Sequence, residues 1–333
     1  MNEIILVFSF VLSFLLAIYG TPLTQKVAHR YELLDFPDGI LKKQREPIPY
    51  MGGVIIYFAF ISPASLLFQF NKELLGILFA GSILLVVGLF DDLKALTPSI
   101  KFLFQVIATY VLIKSGIRIQ LFILPPWLNV ILSSLWILTV INAFNIIDIM
   151  DGLAASVGVL TSLTIFILSL YNDNFLISIL SLSLAAGLLG FLKFNWEPAR
   201  IYMGDAGSMF IGMVIGALAI MGDYSKYNDV AFISGLLILA VPLFDMTYVI
   251  ILRLLKRKNP FFGSPDHFAL RLKKKYNLTA SKTVSVIIII QMVLSVVVVL
   301  NFYTTQMVTI VSTLAIIVFF GIFGLILADV KME

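Results

Sequence analysis

The sequence contains no cysteine and only two histidines among 333 residues. Without cysteine there is neither a disulfide nor thiolate chemistry, and the redox compartment cannot be inferred. The two histidines, His29 and His267, are too few to form a histidine cluster. Charged residues make up only 13% of the chain and hydrophobic residues 60%. Because soluble domains are about 25% charged, we predict an integral membrane protein.

Eleven apolar segments predict an all-α polytopic membrane protein, because each is close to the roughly 20 residues that cross a bilayer. The connecting loops are too short for a soluble domain, so residues 1–333 are expected to form one domain. The first segment lacks a basic leader and a small-residue cleavage site, so we expect a retained helix. The segments are 3–20, 51–70, 74–90, 98–114, 128–146, 153–171, 174–192, 208–222, 230–252, 283–301 and 306–327.

The basic residues predict the orientation of these segments, since Lys and Arg accumulate on the cytoplasmic side. With the N-terminus outside and the C-terminus in the cytoplasm, only four of the 23 Lys and Arg residues lie outside: Lys72, Lys114, Arg118 and Lys226. The polar clusters then all fall on the cytoplasmic face, although they were not used to set the orientation. The expected active-site loops are 21–50, 91–98, 145–152, 193–207 and 253–282.

Acidic and amide side chains gather in these loops in a pattern typical of a metal and phosphate site. Mg²⁺ binds through one or two carboxylates together with substrate phosphates. A cation held by Asp205 near Asp91 and Asp92 could therefore neutralise a diphosphate. Polar residues recur every third position from Asn142 through Asn145 and Asp148 to Asp151, which would give neighbours a shared helix face. Ser208 is expected to cap the helix that follows Asp205, whose N-terminus would attract anions.

Each cluster also has a purely structural interpretation. Asp91 and Asp92 could form a solvated helix end, the Asn/Asp ladder a hydrogen-bonded packing seam, and the segment from Gly204 to Ser208 an ordinary turn. A single loop histidine such as His267 is more often incidental than catalytic. The location of all these clusters on one predicted face favours the functional interpretation.

Eight short motifs follow one another along the chain. They are Asp35-Phe36-Pro37-Asp38, Pro47 to Gly53, Gly88 to Asp92, Leu96 to Lys101, Asn142 to Gly152, Phe194 to Ser208, Pro242 to Asp245, and Ser264-Pro265-Asp266. In this order they resemble the polyprenyl-phosphate N-acetylhexosamine-1-phosphate transferases, and the resemblance runs from about Leu34 to Val284. This family includes the bacterial enzymes that start enterobacterial antigen and teichoic acid synthesis, and the related phospho-N-acetylmuramoyl-pentapeptide transferase.

The resemblance implies that a polyprenyl phosphate of the undecaprenyl type attacks a UDP-N-acetylhexosamine and releases UMP. UDP-N-acetylglucosamine is the expected donor, and Mg²⁺, or alternatively Mn²⁺, the expected cofactor. Carried over by motif, the catalytic residues are Asp91, Asp92, Asp148 and His267, and the metal ligands are Asp205 and Asn145. The substrate-binding residues are Lys43, Arg45, Lys94, Asn145, Asp151, Asn195 and Arg271, with Lys101 as a further basic candidate.

The loop after the ninth segment departs from the family pattern. The family usually has several histidines there, whereas this loop has His267 alone. This argues against a pentapeptide transferase, which stays as the alternative enzyme. Arg271 is hypothesised to replace the missing donors, because its planar fork binds phosphate oxygens well.

Other expectations concern partners and other functional classes. We expect contacts with membrane lipids and none with nucleic acid. The stretch Gly212 to Gly216 suits helix packing within or between chains, so a homodimer stays open. A secondary transporter is the alternative of another class. It would predict acids in mid-span and an inverted repeat, neither of which is seen in the sequence.

Overall fold

A computed structural model describes residues 2–36, 46–121, 124–222, 233–259 and 264–332. These residues form a helical bundle with one two-stranded antiparallel sheet, in which β1 (Leu34–Asp35) pairs with β2 (Ile48–Pro49). The helices are α1 (Asn2–Arg30), α2 (Gly52–Leu67), α3 (Lys72–Leu93), α4 (Pro98–Lys114), α5 (Pro126–Ile147), α6 (Leu153–Tyr171), α7 (Phe175–Asn195), α8 (Gly204–Met221), α9 (Ser234–Ile238), α10 (Ala240–Leu255), α11 (Phe268–Lys275), α12 (Ala280–Tyr303) and α13 (Gln306–Ala328).

Eight of the described helices are long and apolar enough to cross a membrane, namely α1, α3, α5, α6, α7, α8, α12 and α13. The all-helical, multi-pass character expected from the sequence is therefore confirmed. The apolar helix α2 has 16 residues, α4 has 17 and α10 has 16. Each predicted segment overlaps a described helix, while the count of eleven crossings and the orientation of the termini stay predictions.

Helix boundaries follow local sequence signals. Asn71 and Asn174 accept hydrogen bonds from the first-turn amides of α3 and α7, and Thr279 does the same for α12. Such caps satisfy amides that have no partner within the helix. The first predicted segment ends at residue 20, whereas α1 continues to Arg30. The shortfall arises because hydropathy detects only the apolar part of a helix.

The helix α8 lies at the centre of the bundle, and the last two helices at its edge. Every residue from Ala206 to Ala219 is buried, and α8 packs against α2, α3 and α5. By contrast, only Thr309, Phe320, Gly324 and Leu327 are buried in α13. An apolar helix with a mostly exposed surface is expected where lipid replaces water. The central position of α8 brings its first turn next to the ends of α3, α4 and α5.

Candidate active site

The first turn of α8 carries Asp205 and follows a glycine in a left-handed conformation. Gly204 has a φ of +70°, and a Cβ there would lie 2.3 Å from Oδ2 of Asp92. Only glycine combines this conformation with so close an approach. The predicted segment begins at 208, but α8 begins at Gly204 and has Met203 as its N-cap. The expectation that Ser208 caps the helix is wrong, since its hydroxyl donates to the carbonyl of Gly204 at 3.1 Å.

The carboxylate of Asp92 lies at the N-terminus of α8. Its Oδ1 accepts the backbone N–H of Asp205 at 2.9 Å, and its Oδ2 accepts that of Ala206 at 3.4 Å. Gly88, one turn earlier on α3, allows this contact, because a Cβ there would lie 2.2 Å from Cα of Ala206. A negative charge at a helix N-terminus is favourable. Asp92, predicted to be catalytic, is thus placed to position the backbone of Asp205.

Lys101 links the two other carboxylates of the cluster. Its ammonium group donates to Oδ2 of Asp91 at 2.8 Å and also to Oδ2 of Asp205. The other oxygen of Asp91 accepts the backbone N–H of Leu96 at 2.7 Å. All three charged side chains keep some exposure, 25% for Lys101, 11% for Asp91 and 26% for Asp205. The cluster therefore holds a cation between two carboxylates and stays open to solvent.

Asn145, in the last turn of α5, completes the cluster. Its Nδ2 donates to Oδ1 of Asp205 and to the hydroxyl of Ser208, both at 3.0 Å. One turn earlier, Asn142 exchanges amide hydrogen bonds with Gln105 of α4. The four polar residues were predicted to lie on one helix, but α5 ends at Ile147. Only the two asparagines lie on it, and the two aspartates follow it.

The cluster fits a divalent cation that has few protein ligands. No group of three or more His, Cys, Asp or Glu residues that could hold a metal ion occurs among the described residues. Mg²⁺, however, is usually bound through one or two carboxylates, with water and substrate phosphates completing its shell. Asp205 supplies such a carboxylate. Asn145 would supply a neutral oxygen only with its amide turned by 180°, since its Nδ2 faces Asp205 here. The ammonium group of Lys101 shows that a positive charge is accommodated here.

Two further acids follow α5. Partial burial of the carboxyl group, together with the negative charges of Asp205, Asp92 and Asp151, raises the pKa of Asp148 to about 8. Burial also raises the pKa of Asp151, as does the charge of Glu197, against the opposing hydrogen bond from Ala199. Oδ2 of Asp151 accepts that backbone N–H at 2.8 Å. Asp148, at the end of α5, belongs electrostatically to the cluster around Asp205, while Asp151 is tied to the loop before α8.

The loop between α7 and α8 is anchored on both sides. Asn195 is buried, with Oδ1 accepting the N–H of Gly152 at 3.1 Å and Nδ2 donating to the carbonyl of Ile201 at 2.9 Å. Gly53 donates its backbone N–H to the carbonyl of Met203 at 2.9 Å. The motifs that end at Gly53 and at Gly152 therefore both contact this loop. Asn195 was predicted to contact the nucleotide, but both polar atoms of its side chain form hydrogen bonds with this backbone.

His267 belongs to a separate group of buried side chains between α10 and α11. Its Nδ1 lies 2.8 Å from Oδ2 of Asp245, which is itself completely buried. The other oxygen of Asp245 accepts the N–H of Phe268 at 2.9 Å. Asp245 therefore fixes both the imidazole ring and the start of α11. No hydrogen bond connects His267 to the acidic cluster within the described residues.

The structure does not support Arg271 as a phosphate ligand. Its guanidinium group is buried, and Nη1 donates to the carbonyls of Leu327, Ala328 and Val330 at 2.7–3.1 Å. Nη2 donates to Oδ1 of Asp266 at 2.5 Å. The carbonyls of Leu327 and Ala328 lie in the last turn of α13, where carbonyls have no partner within the helix, and that of Val330 lies two residues beyond it. Arg271 therefore caps α13 and ties it to α11, so the hypothesis that it replaces missing histidines is corrected.

The other basic residues predicted to bind substrate have no described contact with the acidic cluster. Lys43 and Arg45 lie outside the described residues. Lys94 is exposed at the end of α3, and its ammonium group pairs with no acid in the part of the chain that the structure describes.

Gln105, which exchanges hydrogen bonds with Asn142, was not predicted from the sequence. It lies four residues after Lys101 and so on the same face of a helix, which is the signal that could have revealed it.

The chain is similar in sequence to known proteins over most of its length. Residues 74–223 match the model of glycosyl transferase family 4. The chain is 31% identical over 300 residues to a probable undecaprenyl-phosphate N-acetylglucosaminyl 1-phosphate transferase of Bacillus subtilis, covering 87% of this chain and 83% of that protein.

Two further relatives come from other bacteria. A decaprenyl-phosphate N-acetylglucosaminephosphotransferase of Mycobacterium leprae is 27% identical, covering 74% of this chain and 71% of that protein. A phospho-N-acetylmuramoyl-pentapeptide-transferase of Streptococcus sanguinis is 28% identical, covering 63% and 72%. From these similarities and the motifs that carry them, the chain belongs to glycosyl transferase family 4, among its polyprenyl-phosphate N-acetylhexosamine-1-phosphate transferases.

Proposed function

We propose that this protein transfers N-acetylglucosamine 1-phosphate from UDP-N-acetylglucosamine to a membrane polyprenyl phosphate and thereby starts a cell-envelope glycan. The similarity to the Bacillus subtilis protein over 87% of the chain carries this proposal. The meeting of Asp91, Asp92, Lys101, Asn145 and Asp205 at one end of the bundle supports it. We propose that this end faces the cytoplasm, where a UDP-sugar is available.

In the proposed reaction an oxygen of the lipid phosphate forms a bond to the β-phosphorus of the UDP-sugar. The bond from that phosphorus to the bridging oxygen breaks, and the oxygen leaves with UMP. Such transfers depend on positioning and charge neutralisation more than on covalent chemistry. Asp91 is our candidate to accept a proton from the lipid phosphate. Lys101, which holds Asp91 and Asp205 together, is placed to neutralise phosphate charge.

We further propose that the cluster binds Mg²⁺, or Mn²⁺ in its place. Asp205 would hold the ion, joined by the amide oxygen of Asn145 once that amide turns by 180°, and the ion would supply positive charge to the diphosphate. Asp92 contributes by fixing the backbone of Asp205.

The proposal is tested with membranes, polyprenyl phosphate, Mg²⁺ and radiolabelled UDP-N-acetylglucosamine. The wild type is expected to move label into the organic phase with release of UMP, and Asp205→Asn to lose this activity. A matched control is Asp173→Asn, the same change of charge in the turn between α6 and α7, where asparagine suits the positive φ. Equal activity of Asp205→Asn and the control would contradict the assigned site.

A panel of donors separates this function from its alternatives. The similarity to the Streptococcus sanguinis protein makes UDP-N-acetylmuramoyl-pentapeptide the alternative donor. Product from this or another UDP-sugar would correct the specificity and leave the reaction class unchanged. No product from any donor would overturn the transferase proposal and favour the transporter alternative.

A further inference from the structure

A cavity of about 580 Å³ lies between the second half of α4 and the first half of α5. This volume is in the range of about 300–1,000 Å³ that is typical of ligand sites. Lys101 and Lys114 mark the two ends of α4, which are separated by about 20 Å at the rise of an α-helix. Because Lys101 belongs to the acidic cluster and Lys114 lines the cavity, the two sites lie at opposite ends of the bundle.

Two cations lie at the rim of this cavity. Lys114 is in the last turn of α4, and Arg118 follows in the next loop. Both are exposed, and neither forms an ion pair with any residue that the structure describes. The ammonium group of Lys114 lies 5.6 Å from the ring centre of Tyr110. Glu73 of α3 approaches Gly116 nearby, but it pairs with neither cation. The rim therefore carries positive charge that no described acidic side chain neutralises.

The walls of the cavity are mostly apolar, and one side is open at the surface of the bundle. Val106, Ile113 and Leu138 contribute hydrocarbon surface. Val106 and Tyr110 are 40% and 59% exposed, on a helix surface that faces outward. Thr109 also lines the cavity and is 2% exposed, and its hydroxyl has no hydrogen-bond partner among the described residues. A cavity that combines apolar walls, an unpaired polar group and a cationic rim matches an amphiphilic anion.

We propose that this cavity binds an anionic phospholipid of the surrounding bilayer. The phosphate would lie between Lys114 and Arg118, and an acyl chain would lie along the apolar wall. Basic pockets between transmembrane helices bind anionic headgroups on the cytoplasmic side, and Lys114 and Arg118 would offer the same contacts at the opposite end of the bundle. The opening toward the outer surface of α4 allows entry from the membrane. This site is independent of the proposed transferase activity.

The test is native mass spectrometry of the whole protein, extracted in mild detergent from vesicles of equal parts phosphatidylglycerol and phosphatidylcholine. The wild type is expected to retain phosphatidylglycerol in preference to phosphatidylcholine. The double variant Lys114→Gln with Arg118→Gln should lower the affinity for phosphatidylglycerol by about tenfold or more, since two cationic contacts are lost. The control is Lys72→Gln, which removes an exposed charge at the same end of the bundle without lining the cavity.

A second variant tests the cavity without changing its charge. Ser134 lines the cavity and is partly buried, so Ser134→Phe would narrow it beside the apolar wall while leaving both cations in place. Loss of phosphatidylglycerol in this variant is expected as well. Equal retention in the double variant and the wild type, or equal loss in Lys72→Gln, would overturn the proposal. Displacement by inorganic phosphate at millimolar concentration would also overturn it, because the ligand would then be a free anion.

Discussion

The cluster around Asp205 and the group around Arg271 both pair a basic side chain with carboxylates, but only the first is open to solvent. In the first, Lys101 meets Asp91 and Asp205 where all three side chains are partly open to solvent. In the second, Arg271 and Asp266 pair with exposures of 2% and 5%. The first group can exchange its partners for a substrate or an ion, whereas the second cannot do so without leaving a buried charge unpaired.

The partners of each group explain this difference. The carboxylates around Asp205 are held by one lysine and by backbone amides at the start of α8. Arg271 instead donates to three carbonyls at the end of α13. Burial alone would raise the pKa of Asp266, but hydrogen bonds from Lys256 and Arg271 lower it. We therefore interpret the group around Arg271 as a structural tie between α11 and α13, and the cluster as the reactive site.

The largest effect on stability is expected for Arg271→Ala. This change leaves Asp266 with fewer partners and the end of α13 uncapped, so we expect a loss of about 3–5 kcal/mol in the free energy of unfolding. Thermal unfolding in detergent measures it, with Arg271→Lys as a partial rescue. A stable variant that has lost activity would contradict the structural role and restore Arg271 as a substrate ligand.

Lys101→Gln is expected to lower the activity and to leave the stability nearly unchanged. We expect a loss of activity of about 100-fold or more, comparable with the removal of one preorganised donor, and little change in thermal stability because the site is partly exposed. Lys101 pairs with Asp205 and would compete with the proposed ion there, so Mg²⁺ binding measured by calorimetry without substrates should be retained or strengthened. Weaker Mg²⁺ binding would contradict this competition.

The pH dependence of stability tests the charge of the cluster. Because the pKa of Asp148 is raised to about 8 from an ordinary 3.8, the stability it contributes is full below pH 3.8 and is lost as the pH rises through 8. In metal-free buffer, Asp148→Asn should therefore gain thermal stability over the wild type between about pH 4 and 8, with a constant advantage above that. A difference that does not change with pH would show that Asp148 is ionised at neutral pH.

The smallest effect is expected for Asp92→Asn. The side chain keeps one acceptor oxygen for the start of α8 but loses the other, and the backbone N–H left without an acceptor costs about 1 kcal/mol. Unfolding in detergent measures this loss, and the activity assay measures how far Asp205 depends on it. A loss of activity as large as that of Asp205→Asn, with unchanged stability, would show that Asp92 is catalytic and does more than position Asp205.

The sequence predicted which residues meet in the cluster around Asp205 better than it predicted their individual contacts. Asp91, Asp92, Asn145, Asp148 and Asp205 were all identified, because polar residues next to apolar segments are costly without a use. The bonds that link them join distant positions, such as Lys101 and Asp205. Such pairs depend on how α3, α4, α5 and α8 pack, which local patterns do not report.

The sequence by itself determined the membrane character, the helical segments and the family, because hydropathy and short motifs are local properties of the chain. Only the tertiary structure decided that Lys101 lies between two carboxylates and that Arg271 caps α13. It also decided that Asn195 binds backbone at both ends of its amide. The same side chain can bind a phosphate or a helix end, and its choice depends on which unpaired groups the packed helices bring within reach.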